Sequence, residues 1–354
     1  LPRSSGRLVS GKGAQRILLL LSGEHPTIPC SEALAVLRTE GVEFETVARS
    51  NQVLILDSGK GAGDAIGGRA AFTMEGGRFL FSAKPSVEDV ELRCSMADWS
   101  FLEGRSFGVK VTRVRDYFMG VDTQKVQGEM GYSIKKQTGS SVNLRAPDFW
   151  IRGVLTDGGF FAFSLDFTTD RKAFSARRPR SRPYFHPGVL DPKIARAFVN
   201  LAQVKRGEVF LDPFCGTGGF LIEGALLGCQ VCGIDLDMRM IKGGRQNLAH
   251  YGLEADLIHG DARDLPLERA DGIATDPPYG RGSSTMGENT KGILSEFFRE
   301  GHRALDKGGY LCTAAPLEIN PAVLAKEAGF TVREEHRMRV HKSLTRSIIV
   351  AERT

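Results

Sequence analysis

The chain has 354 residues, 41% hydrophobic and 25% charged, a globular mixture whose length exceeds a single core and predicts two or three domains. No apolar run approaches the roughly 20 residues of a membrane span; Ile17–Leu21 is far too short, and no secretory cleavage pattern precedes it, so no membrane association is expected. The formal net charge of +5 sits in the first half, because residues 1–185 carry 26 Lys and Arg against 20 Asp and Glu, and the remainder 21 against 22.

Residues 1–16 are rich in Gly, Ser and basic side chains and do not start on Met, so they are read as a disordered or engineered tail outside the fold. Strand patterns then fall at Ile17–Ser22, Val42–Ala48 and Val53–Asp57, around a helix at Ser31–Thr39. A second group follows: helices over Val87–Met96 and Thr123–Lys136, and strands at Phe107–Val114, Val142–Leu144, Trp150–Thr156 and Gly159–Phe167. This predicts two small α+β units in series, 17–84 and 85–167. Residues 168–187 are rich in Pro and Arg and read as a linker. There Arg171, Lys172, Arg177, Arg178, Arg180 and Arg182 crowd together with no acid between them. Such a block suits a polyanion, since each neutralised phosphate releases counterions. A solvated linker that is basic by chance is the competing reading.

From residue 188 onward strands and helices alternate. Strands are predicted at Glu208–Asp212, Gln230–Asp235, Ala255–His259, Gly272–Asp276, Gly309–Thr313, Phe330–Glu334 and Ser347–Ala351. Helices are predicted at Gly219–Leu227, Met238–Tyr251 (closed by Gly252), Leu294–Leu305 and Pro321–Ala328. This alternation is α/β: a seven-stranded, mostly parallel, doubly wound sheet, with the last two strands an antiparallel pair at its edge. Six cysteines are scattered along the chain, and Cys229 and Cys232 form a CxxC without a second half. Half a zinc site or a redox pair is the sharper reading; reduced thiols in a cytoplasmic protein is the preferred one, with no metal.

The first of these strands runs into Asp212-Pro-Phe-Cys-Gly-Thr-Gly-Gly219 and then a helix. Glycines there let backbone approach a ligand, and helix-end N–H groups face it. The second strand ends at Asp235, placed to accept both ribose hydroxyls of an adenosine, and the third ends at Asp261, placed to accept from an adenine amino group. Each acid alone reads equally well as a strand-end cap. An acid at the start of the loop repels a pyrophosphate but can hold an ammonium, which turns the cofactor from NAD toward S-adenosylmethionine. Phe214, Cys215, Gly216, Thr217 and Gly218 complete the candidate cofactor loop, with Leu236 and Ala262 beside the two acids; Cys215 is read as a small apolar filler.

The fourth strand ends in Asp276-Pro277-Pro278-Tyr279-Gly280. An exocyclic amine is a poor nucleophile because its lone pair is delocalised into the ring. A carboxylate accepting one N–H and the neighbouring carbonyl accepting the other favour its move toward tetrahedral geometry. Asp276 and the Pro277 carbonyl supply these acceptors, the prolines stiffen the turn, and Tyr279 offers a stacking face for an extracted base. The bland alternative is a turn after a strand. The polar stretch 280–290 reads as a loop over the substrate, with Arg281 on a phosphate, or as a loop without function.

These motifs resemble the class I, Rossmann-fold methyltransferases, and Asp-Pro-Pro-Tyr is similar to their amino-methylating branch. Arg182-Pro-Tyr-Phe-His-Pro-Gly-Val-Leu-Asp-Pro-Lys-Ile-Ala-Arg196 resembles the segment ahead of the glycine loop in archaeal tRNA (guanine(10)-N2)-dimethyltransferases. That resemblance implies that Phe185 and His186 close the methionine side of the cofactor; without it, His186 reads as a turn residue before Pro187. Asn143-Leu144, Pro147-Asp148, Ile151 and Phe174-Ser-Ala-Arg177 resemble a THUMP domain, which implies a ferredoxin-like domain over 17–84 and a tRNA-gripping THUMP domain over 85–167. Lys135, Lys136 and Arg145 then join the linker cations as RNA contacts. The resemblance implies N2-methylation of a tRNA guanosine, most simply at position 10, by a monomer, with room for an accessory activator subunit. The competing functions are another tRNA guanosine or rRNA as substrate, and a catalytically silent tRNA-binding subunit.

Overall fold

A computed structural model describes residues 15–278, 290–341 and 344–354. They form two compact units. The first takes the chain up to Cys30 with Gly41–Gly68 and Phe72–Thr169, and the second takes Ser31–Glu40, Arg69–Ala71 and Asp170–Thr354.

The first unit begins with β1 (Gln15–Leu21), so Gln15 and Arg16 belong to the fold and not to the tail. Arg16 lies at 2.7 Å from Asp57 on the neighbouring strand. Then come α1 (Ile28–Thr39), most of which belongs with the second unit, β2 (Phe44–Ser50), β3 (Val53–Ser58), α2 (Ala62–Arg69) and β4 (Thr73–Ala83). They are followed by α3 (Val87–Met96), β5 (Ser106–Arg113), α4 (Thr123–Thr138), β6 (Ser141–Val142), β7 (Phe149–Thr156) and β8 (Gly159–Thr168). The sheet order is β2-β3-β1-β4-β8-β7-β5-β6. The two α+β stretches expected in series therefore share one sheet, joined where β4 pairs with β8.

Neither α2 nor β4 was expected. The pair Gly76-Gly77 reads as a turn in sequence, yet it lies inside an eleven-residue strand. A Cβ on Gly77 would stand 1.8 Å from the Ser164 carbonyl oxygen, and one on Gly76 would stand 2.5 Å from the Phe167 ring. The glycines are there for close approach of β8, where the register shifts between Gly76 and Gly77. Helices α3 and α4 bury Val90, Cys94, Val126, Met130 and Ile134 against Phe107, Ile151 and Phe160 of the sheet.

The second unit contains α5 (Arg171–Ala176), α6 (Pro192–Leu201), β9 (Val209–Asp212), α7 (Gly219–Leu226), β10 (Gln230–Asp235), α8 (Met238–His250) and β11 (Asp256–His259). After them come β12 (Ala270–Thr275), α9 (Thr290–Ala304), β13 (Leu305–Pro316), α10 (Pro321–Glu327), β14 (Thr331–His341) and β15 (Leu344–Glu352). The sheet order is β11-β10-β9-β12-β13-β15-β14. Pairs from β11 to β13 are parallel, and β15 runs antiparallel to β13 and β14, as the alternation predicted. Leu211, Ile273, Leu311 and Ile349 of the sheet pack with Phe297, Phe298 and Phe330 as the core. The order reverses between β9 and β12, which opens a crevice at their carboxyl ends.

Among the described residues no helix is long and apolar enough to cross a membrane, and no three His, Cys, Asp or Glu side chains gather as a metal site. All six cysteines are free and buried, and burial pushes the Cys229 and Cys232 thiols up to about 11.

Candidate active site

The loop after β9 turns through Gly216 and Gly218 at φ of 49° and 82°, the left-handed region in which a Cβ is strained. It lies flat against β10: Cys215 N–H donates to the Ile234 carbonyl at 2.8 Å, and Gly216 N–H donates to Asp235 Oδ2 at 2.8 Å. A Cβ on Gly233 of β10 would meet Leu221 at 2.4 Å and Cys215 at 2.9 Å, so only glycine admits the loop there. Cys215 is the buried filler the sequence suggested, with its thiol pushed far up by burial. Phe214 leaves the loop toward the core and meets Phe297 edge-on at 5.3 Å.

Asp212 is fully buried. Its Oδ1 accepts from the Thr275 hydroxyl at 2.7 Å and from Phe214 N–H at 3.2 Å, whereas Oδ2 has no hydrogen-bond partner among the described residues. Burial pushes this carboxyl up to about 8, and the charges of Asp235 and Asp276 act the same way. The hydroxyl of Thr217 is also buried without a partner among the described residues. A buried carboxyl with an unpartnered oxygen fits a cationic group such as the ammonium of a methionine moiety.

Asp235 ends β10, with Oδ2 on Gly216 N–H and Oδ1 on Asp237 N–H, both at 2.8 Å. Burial raises its pKa, and the backbone donors and the nearby His186 oppose that shift. These two backbone donors fix the carboxylate in orientation. Leu236 beside it is 45% exposed, a free apolar face at the strand end. Asp261 is ion-paired. Arg263 grips both of its oxygens, at 3.0 Å and 2.6 Å, and holds the carboxyl below its usual range. The carboxylate keeps further lone pairs beside this pair, and Ala262 next to it is buried.

Asp276 follows β12 directly, and Pro277 is buried behind it. Two residues beside it escaped the sequence. Thr275, fully buried, ties the end of β12 to Asp212. Arg346 of β15 brings Nη1 to 3.2 Å from Asp276 Oδ2. Arg346 belongs to no motif, and only the strand order makes it a neighbour of the site; Thr275 directly precedes Asp276, but only the pairing of β12 with β9 brings it to Asp212. Pro278 is half-buried, whereas Tyr279 and Arg281 lie outside the described residues.

The segment ahead of β9 is fastened to the same end of the sheet. Asn247 of α8 accepts Tyr184 N–H at 2.9 Å and donates to the carbonyls of Tyr184 and Thr217, both at 3.0 Å. Tyr184 packs on Gly243, where a Cβ would be 2.3 Å from its ring. This leaves Phe185, 49% exposed, and His186, also exposed, at the surface beside the loop.

The basic block divides. Arg177 pairs with the fully buried Glu223 at 2.8 Å, and Arg182, 5% exposed, donates Nε–H to the Arg177 carbonyl. As phosphate ligands these two are corrected: Arg177 is paired inside the unit, and Arg182 is buried, with Nη1 and Nη2 lacking a hydrogen-bond partner among the described residues. Arg171, Lys172, Arg178 and Arg180 are exposed, as are Lys135, Lys136 and Arg145 of the first unit.

Three acids at the carboxyl ends of β9, β10 and β12, a glycine loop, and an Asp-Pro-Pro turn at the point of strand reversal define a Rossmann-fold S-adenosylmethionine-dependent methyltransferase. Residues 179–348 match the family model for the RMKL-like methyltransferase domain. The chain belongs to the tRNA (guanine(10)-N2)-dimethyltransferase family. It is 39% identical to the enzyme of that name from Methanothermobacter thermautotrophicus, over 95% of this chain and 99% of the relative. It is 33% identical to that from Methanocaldococcus jannaschii, over 94% and 98%. In fold it is similar to TrmN from Thermus thermophilus, with a TM-score of 0.55 and 22% identity, over 96% of this chain and 100% of that one.

Proposed function

We propose that this protein methylates the exocyclic N2 of guanosine in tRNA, at position 10, once or twice, with S-adenosylmethionine as donor. The observation that carries the reading is the 2.7 Å bond between Thr275 and Asp212, which sets the acid suited to the donor's ammonium one residue from the acid suited to the amine, Asp276. Bound S-adenosylmethionine supplies an electrophilic methyl group. The chain's own residues do the rest. Asp212 receives the ammonium, Asp235 the ribose, and Leu236, Ala262, Phe185 and His186 line the remainder. Asp276 accepts one N–H of the guanine amino group and the Pro277 carbonyl accepts the other, so that the nitrogen lone pair leaves the ring plane. Position 10 and the double methylation come from the names of the relatives.

In this reading the first unit comprises ferredoxin-like and THUMP domains that grip tRNA, and the enzyme works as a cytoplasmic monomer. Its exposed cations Lys135, Lys136 and Arg145, with the cations around α5, support RNA binding. An unmodified tRNA transcript treated with protein and donor, then digested and weighed by mass spectrometry, tests the reading. N2-methyl- or N2,N2-dimethylguanosine should form, and should vanish when guanosine 10 is replaced by adenosine. N6-methyladenosine as the sole product would defeat it. Asp276→Asn should lower kcat by about 10²–10³.

A further inference from the structure

We propose that Arg346, on the last strand of the chain, is a positioning residue that pins the Asp276 carboxylate in the orientation the amine requires. The inference rests on Asp276 being the amine's acceptor. Strands β12 and β15 are not neighbours, since β13 lies between them. Thr275 closes β12 opposite Thr313 of β13, and Pro316, three residues on, pairs with Arg346. Asp276, next after Thr275, comes level with Ala314. Side chains two apart share a face, and directly paired residues do so too, so Ala314, Pro316 and Arg346 point the same way. Ala314 is fully buried and small, and the guanidinium crosses above it to reach Asp276 Oδ2 at 3.2 Å.

The pair is shielded, with side chains 11% and 14% exposed. An unrestrained carboxylate turns about its terminal bond and presents either oxygen anywhere on a cone. With Oδ2 held by a guanidinium, that turn is stopped and the carboxylate keeps one orientation. The cation also offsets the crowding of acids at this sheet end, where Asp212 and Asp235 stand near enough to feel one another.

Steady-state and single-turnover assays on an unmodified tRNA transcript, with titration of the cofactor, test this. Arg346→Gln should lower kcat by about 10- to 100-fold, the scale of a displaced catalytic group. The cofactor Kd and the KM for tRNA should stay within about threefold, and Arg346→Lys should recover part of the loss. In the Asp276→Asn background the same Arg346→Gln change should cost less than about threefold, because the group it positions is gone. An equal loss in both backgrounds overturns the proposal. So does a raised KM for tRNA with unchanged kcat, which places Arg346 on the RNA. Should Arg346→Gln fail to bind cofactor, the Arg346→Lys change in the two backgrounds decides by the same criterion. A wild-type chain without transferase activity defeats the reading of Asp276 itself, a failure distinct from additivity in an active enzyme.

Discussion

A buried carboxyl with one oxygen unpartnered costs stability when ionised, and among the described residues Asp212 is in that position. Its folded-state pKa, pushed up to about 8 by burial, lies above the ordinary 3.8. The folded protein therefore binds the proton more tightly than the unfolded chain does. Stability from this group is complete below pH 3.8 and is lost as pH rises toward 8. Melting of the cofactor-free protein from pH 5 to 9 should show a decline that Asp212→Asn flattens; parallel curves would rule this out. The same substitution removes a charge-assisted bond, worth about 1.5–3 kcal/mol, so cofactor affinity should fall roughly ten- to a hundredfold by calorimetry. Binding to the native protein near neutral pH should release a proton, seen as a buffer-dependent heat. Asp212, Asp235 and Asp276 were legible because acids at strand ends carry a motif's spacing. Thr275 and Arg346 were not, because one is a strand residue like any other and the other meets the site across an intervening strand.

Strands alternating with helices announced the second unit, since apolar runs between turn signals are what a sheet covered on both faces requires. The first unit hid its central connection. β4 pairs with both β1 and β8, yet Gly76-Gly77 breaks its pattern for reasons that only packing explains. The Cβ of an alanine at 77 would be 1.8 Å from the Ser164 carbonyl oxygen and 2.7 Å from Asp166 N–H. These are backbone atoms, so no side-chain rotation relieves them. Gly77→Ala should cost on the order of 3 kcal/mol, in the upper range for point substitutions. Both tryptophans, Trp99 and Trp150, lie in this unit, so their fluorescence during urea unfolding reports on it alone. A midpoint unchanged by Gly77→Ala would mean that β4 and β8 separate without penalty.

Across the whole molecule the charge of +5 matters less than which cations face water. The six-cation block looked uniform in sequence because arginine is written the same way inside and outside a protein. The distinguishing mark was elsewhere. Glu223 stands alone in the apolar helix Gly-Phe-Leu-Ile-Glu-Gly-Ala-Leu of α7, and a lone acid there demands buried cations. Arg177 answers it at 2.8 Å and Arg196 at 2.9 Å. The block should therefore split by experiment. Arg177→Ala breaks a buried pair and should destabilise the protein by about 3 kcal/mol, the low end for such losses because Arg196 remains. It should leave the salt dependence of tRNA binding unchanged. Replacing Arg178 and Arg180 together should leave the melting temperature nearly constant and flatten the plot of log affinity against log salt by about 0.7–0.9 for each phosphate that is no longer neutralised. If the Arg177 variant flattened that plot and the double variant did not, the inward and outward assignment of this block would be reversed.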